Sequence, residues 1–214
     1  KDELPYEVSD ENKKGGTLIV KDGASNASFK KCTPMLDAIT SGYIVPLFTD
    51  VQVRIESDGF QRITWRTVQN PFEGHGDVFQ KHGDSAARVK PPTGYGKVFK
   101  YMNTWIPKTP PGYSTMISHP AGYEDGPFRA IPAIIDTDSS VLEVVFPVWL
   151  QEGFEGIVLK GTPMIQLTPF KRDTWQSHFL SYEGDEHKKL QERNFNSTIF
   201  NNYIKNHWTK KVYR

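Results

Sequence analysis

One cysteine, Cys32, stands in 214 residues, so no disulfide can form within the chain. That favours a reducing compartment. The charges almost cancel: 26 basic side chains against 25 acidic ones leave +1. No global field therefore draws the chain to a membrane or, without sequence-specific contacts, to nucleic acid. No apolar run approaches the roughly 20 residues that cross a bilayer. No leader segment is visible, yet the chain begins at Lys1 and not at methionine, so a native N-terminus is expected upstream. Common catalytic signatures are missing too. There is no phosphate-cradling glycine loop between strand and helix, no Gly-x-Ser-x-Gly and no Cys-x-x-Cys.

The segment from Phe128 to Arg172 is rich in Val, Ile and Phe. Its apolar runs at 130–135, 141–150 and 157–170 are each too short for a typical helix. Asp136-Thr137-Asp138-Ser139-Ser140 separates the first two, and Lys160-Gly161-Thr162-Pro163 interrupts the third. Short β-rich runs with turn residues between them predict antiparallel strands. Leu142, Val144, Phe146 and Val148 share one side of the middle run, which is expected to be buried.

Residues 1–28 are polar and predict an arm, with a single strand at 17–20. A short helix is expected over 30–41, with Pro34 suited to its first turn and Gly42 to its end. Strands follow at 43–48 and 51–56, a hairpin turn at Ser57-Asp58-Gly59, and a return strand at 60–68. Periodicity vanishes over 69–96, which predicts a long excursion loop. Strands are expected again at 98–106 and 113–118, around the rigid turn Lys108-Thr109-Pro110-Pro111-Gly112. After Arg172 the chain turns polar, and a helix capped by Asp185 is expected to run to about His207. Its apolar face would hold Ile199, Phe200, Tyr203 and Ile204, and an exposed basic tail would follow over 209–214.

Two constellations carry candidate chemistry. His75-Gly76-Asp77 and His82-Gly83-Asp84 repeat seven residues apart. A His-x-Asp pair supplies two ligands of a facial-triad iron site, with His119 or His178 available as the third. The preferred reading is a solvated polar loop without a metal. Asp136 and Asp138 flank Thr137, and in an extended segment they face one side, where they could share a cation or a water. The preferred reading is a turn in which the aspartates bond nearby backbone. Cys32 is read as a small buried side chain, and Lys171-Arg172 as a positive rim.

Ala133-Ile134-Ile135-Asp136-Thr137-Asp138, followed by Lys160-Gly161-Thr162-Pro163-Met164-Ile165-Gln166-Leu167, resembles the core of the dUTPase and dCTP-deaminase family. The resemblance implies a β-clip fold and a trimer. It also implies a nucleotide site with Asp136 as base or Mg²⁺-water ligand and Ser118 and Gln166 as phosphate contacts. The departures are specific. Ser139-Ser140 replace the family's Tyr-Arg-Gly, His119 follows Ser118 where an arginine is expected, and the glycine-rich closing loop is absent. Triphosphate charge then lacks counter-ions. The whole chain also resembles an uncharacterised family of tailed-phage proteins, through Lys31-Cys32-Thr33-Pro34-Met35-Leu36-Asp37, Lys108-Thr109-Pro110-Pro111-Gly112-Tyr113-Ser114 and Phe170-Lys171-Arg172 with Trp175.

The expectation is a mainly β, β-clip-like (dUTPase-like) single domain at 29–180, with an arm at 1–28, the loop at 69–96 and a C-terminal helix with a basic tail at 181–214. The expected role is a non-catalytic phage protein, virion-associated and self-associating, with other virion or phage proteins as partners and no cofactor. It would reside in the virion or the infected-host cytoplasm. The alternatives are a nucleotide-binding or nucleotide-hydrolysing enzyme using Asp136 with Mg²⁺, and an iron oxygenase using His75 and Asp77.

Overall fold

A computed structural model describes residues 33–65, 77–82, 89–103, 105–140, 145–179, 184–199 and 202–213. The expected arm at 1–28, its strand, Cys32 and His75 lie outside these residues. The protein is mainly β, with antiparallel sheets and short helices toward its C-terminus. Chain contacts divide it into two units: Gly42–Thr174 holds the strands, and the segments on either side hold the helices.

The β unit contains eleven described strands. They are β1 Tyr43–Pro46, β2 Val51–Ile55, β3 Gln61–Trp65, β4 Phe79–Lys81, β5 Tyr95–Met102, β6 Tyr113–Ser118, β7 Phe128–Ala130, β8 Ala133–Ile135, β9 Val145–Gln151, β10 Gly156–Val158 and β11 Pro163–Lys171. They form three sheets, with orders β1-β11-β6-β8, β10-β2-β3 and β4-β5-β9-β7. The turn at Ser57-Asp58-Gly59 forms as expected. Glu56 and Phe60 pair through the backbone, Gly59 takes φ +78°, and the Asp58 carboxylate accepts from the Phe60 N–H at 2.9 Å.

Two departures from the expected strands have clear causes. The run at 130–135 is two strands in two sheets. Ile131 still donates to Pro147, but Pro132 has no N–H to continue that ladder, and the chain crosses to pair with β6. Strand β4 lies inside the segment expected as a loop. Three residues are too few to show periodicity among Gly, His and Asp, yet Val78 and Phe79 are buried and β4 pairs with β5.

The core joins side chains from all three sheets. Tyr101, Phe146, Val148, Leu150, Ile165 and Leu47 are fully buried. Phe146 and Val148 occupy the buried side read from the sequence, while 141–144 lie outside the described residues. Tyr101 packs against Phe48 and Phe79, with ring centroids 6.1 and 5.5 Å away, and its hydroxyl donates to the Pro46 carbonyl at 2.8 Å. Phe79 in turn stacks on Phe128 at 4.8 Å.

In the helical unit α1 spans Thr33–Thr40, α2 Asp185–Ile199 and α3 Asn202–Asn206. Helices α2 and α3 both lie within the span expected as one helix from Asp185 to about His207, and residues 200–201 between them are outside the described residues. No residue of α1 is buried. Asp37 on α1 accepts from the Trp208 indole at 2.9 Å and from the Lys211 ammonium at 2.7 Å. The basic tail is exposed over 209–213 as expected, and Lys211 within it is tied to an acidic partner.

Gly42 combines two constraints. Its φ is +69°, and a Cβ built there would lie 1.9 Å from the Leu167 carbonyl oxygen. Gly42→Ala is expected to cost about 1–3 kcal/mol for the backbone conformation, with the clash added. Urea unfolding followed by tryptophan fluorescence checks this, and an unchanged midpoint would contradict it.

Candidate functional site

In the first sheet, paired residues sit side by side and successive residues alternate faces. The outer face carries Ile44, Gln166 and Ser118 in one row, then Thr168, Met116 and Ile134, then Phe170 and Ser114. Asp136 follows β8 directly at the Ser114 end. The opposite face carries Val45, Ile165, Leu167 and Ile117 into the core.

At the Ser114 end a polar clamp closes the sheet. The Ser114 hydroxyl, almost fully buried, donates to Asp136 Oδ1 at 2.7 Å. Arg172, just past β11, brings Nη1 within 3.0–3.1 Å of Ser114 Oγ, Asp136 Oδ1, Asp138 Oδ1 and the Tyr113 carbonyl. Its Nη2 donates to Asp138 Oδ2, which also accepts from the Gly112 N–H at 2.8 Å. Beneath the clamp the hydroxyls of Thr109, Thr137 and Thr115 form a chain with links of 2.7 and 2.9 Å.

The two aspartates thus do share a cation, and that cation is the Arg172 guanidinium. The turn forms, with the Ser139 and Ser140 N–H groups donating to the Asp136 carbonyl, and the Asp138 carboxylate adds Gly112 and Arg172 as distant partners. The Arg172 hydrogen bonds, with the Gly112 N–H, hold the Asp138 carboxyl down at about 2. Arg172 is raised in return, chiefly by Asp138. Arg172 already occupies Asp136 Oδ1 and both oxygens of Asp138, so a Mg²⁺ bridging the two carboxylates would have to displace the guanidinium.

The other nucleotide-site candidates lie elsewhere. Ser118 and Gln166 are register partners at the far end of β6. Four residues separate Ser118 from Ser114 along the strand, on the order of 13 Å. Gln166 is buried, and its Oε1 accepts from the Ala121 N–H at 2.8 Å. Within one chain Asp136, Ser118 and Gln166 therefore do not converge.

Asp77, His119 and His178 of the iron reading lie among the described residues. Asp77 accepts from Gln80 Nε2 at 3.2 Å. His119 uses both ring nitrogens on backbone: Nε2–H donates to the Tyr123 carbonyl at 2.6 Å, and Nδ1 accepts from the Ala130 N–H at 3.4 Å. That pattern fixes the neutral tautomer and leaves no lone pair for a metal. His178 is exposed. Among the described residues no three His, Cys, Asp or Glu side chains group to hold a metal ion.

Arg172 and Ser114 were not singled out from the sequence as a site. The available signal was positional. Arg172 lies two residues after Phe170, hence on the same face, and Phe170 pairs with Ser114.

Two pH responses follow. Asp138 has a folded pKa below its usual 3.8, so its contribution is complete above that value and is lost as pH falls through about 2. Asp138→Asn is expected to lower the unfolding midpoint at pH 7 and to flatten its decline below pH 4. His119 is lowered from 6.5, first by burial. The unfolded chain then takes up its proton first, so stability falls as pH drops below about 6.5. Glu124 and Arg129 also face this ring, with opposing effects. His119→Asn should remove that part of the slope, and denaturant titrations at pH 5 to 8 read it. An unchanged slope would contradict the assignment.

Comparison with protein-family models, with curated proteins and with solved structures returned no match.

Proposed function

We propose that this chain is a non-catalytic, β-clip-like module of a tailed phage. It acts by associating with copies of itself and with other virion proteins, in the virion or the infected-host cytoplasm. The carrying observation is the outer face of the first sheet. Ile44, Met116, Ile134 and Phe170 are all exposed there, with Ile134 at 64 %, on four adjacent strands. Exposed apolar side chains on a sheet face, here interspersed with Ser118 and Thr168, are what sheet-to-sheet docking uses. The clamp of Arg172, Asp136 and Asp138 forms a charged rim at one end, as interfaces have around an apolar centre.

Further support comes from the nucleotide-site candidates. Gln166 is committed to the Ala121 backbone, and Asp136 Oδ1 is engaged by Ser114 and Arg172. The resemblance to tailed-phage proteins supplies the biological setting, and the resemblance to dUTPases supplies the trimer as the order to test.

Sedimentation velocity of the full chain is expected to show concentration-dependent association. Ile134→Glu, at an exposed position, is expected to weaken it at least about tenfold, the effect of burying one unpaired charge. A monomeric protein at high micromolar concentration would overturn the proposal.

A further inference from the structure

We propose that a cavity on the β10-β2-β3 sheet binds a neutral saccharide, free or as one unit of a glycan. The inference goes beyond self-association and does not depend on it. The cavity measures about 420 Å³, within the roughly 300–1,000 Å³ of small-ligand sites. Ile157, Gln52 and Thr64 are register partners on three adjacent strands, so they form one row about 10 Å long. The row lies on the face opposite the buried Val51 and Val53. Trp65 at the end of β3, and Thr49 and Asp50 leading into β2, complete the lining.

The polar groups of this lining are open. Thr49 is 9 % exposed, and its hydroxyl has no hydrogen-bond partner among the described residues. Trp149 Nε1 is the one fully enclosed side-chain donor or acceptor without a partner among those residues. The Thr49 hydroxyl therefore reaches accessible space, and the cavity is the space that Thr49 lines. Asp50 Oδ1 accepts from the Lys160 N–H at 2.7 Å, which fixes the carboxylate and leaves Oδ2 for a ligand. The Gln52 amide, also unbonded among the described residues, offers a donor and an acceptor. Thr64 Oγ1 makes one long bond to the Gln52 carbonyl at 3.4 Å and can still accept. The apolar part is Ile157, 62 % exposed, with Trp65, which packs on the core.

Hydration and charge select the class of ligand. An apolar molecule would displace water from these polar groups without replacing its hydrogen bonds, which loses affinity. A sugar ring replaces them with its hydroxyls and lays its C–H face on Ile157 and Trp65. Asp50 is the one ionisable group among the described lining residues, and it repels phosphate and sulfate. One carboxylate, already shared with a backbone donor, offers a divalent cation little charge. The site is also held in advance. Strand β2 is central in its sheet and anchored by Val51 and Val53, so little ordering is left for the ligand to impose.

The test probes the full chain on an array of neutral oligosaccharides of glucose, galactose, mannose and N-acetylglucosamine, where binding is expected. Titrating isotope-labelled protein with the sugar that binds should shift the amides of Asp50, Gln52 and Thr64. Response to the monosaccharide assigns the site to a single ring, and response to the oligosaccharide alone assigns it to a glycan. Asp50→Asn should weaken binding at least about tenfold and Gln52→Ala about fivefold, the loss of a charged and of a neutral hydrogen bond. Asparagine keeps the acceptor for Lys160 and neither residue is buried, so the urea midpoint should stay in place. Ile134→Glu, on another sheet, should bind sugar as the unaltered chain does. No binding on the array, binding that survives both substitutions, or a preference for sulfated over neutral glycans overturns the inference. So does a shift of these amides by Ca²⁺ alone that no sugar reproduces. A monomeric chain that binds sugar removes the association reading and leaves this one standing.

Discussion

Tyr101 is the residue through which the β unit holds together. It belongs to β5, in the middle of one sheet, yet its hydroxyl reaches the Pro46 carbonyl on β1, the edge of another. Its ring lies between Phe48 and Phe79, and Phe79 carries the contact on to Phe128 of β7. Burial raises the phenol pKa, so the group stays a neutral donor throughout the physiological range. A buried hydroxyl is tolerated only where its bond is made, and this one can be made only when the two sheets are in register. Together with the ladder to β11, that bond fixes the end of β1 at Pro46.

Strands with alternation or β-branched runs were legible in the sequence. Val51 and Val53 are buried as their spacing required, and the turn at Asp58-Gly59 is the turn its residues specify. What escaped was set by distant partners. Phe79 lies in a segment whose composition reads as loop, and only pairing with β5 makes it a strand. Proline at 132 marked a break in pairing, but nothing local told that the chain changes sheets there. The same holds at the site. Asp136 and Asp138 were visible as a pair, whereas their cation comes from 34 residues beyond Asp138. A salt bridge between residues so far apart has no local signature, because its geometry is created by the register of β6 against β11 and β8.

That register also explains why one cluster reads as chemistry in the sequence and as architecture in the fold. Carboxylates two apart beside a serine are the composition of a reactive centre. Here Ser114 and Arg172 both reach Asp136 Oδ1, and Gly112 and Arg172 serve Asp138. Satisfied charges of this kind stiffen the end of a sheet and border its apolar face. The same economy governs His119 and Gln166. Both bond the backbone of the segment between β6 and β7, fixing a crossing from one sheet to another.

Strand β1 pairs with β11, joining Tyr43 to Leu167 near opposite ends of the β unit. During synthesis β1 emerges long before its partner exists. Until the ribosome has passed Lys171, Val45 and Leu47 have no sheet to enter, and the edge of β1 stands open. Closing a loop of that size is entropically slow, and chains with such pairings fold late and all at once. The β unit is thus committed to folding after translation of nearly its whole length, and the open strand β1 depends on not meeting a neighbouring nascent chain in that interval.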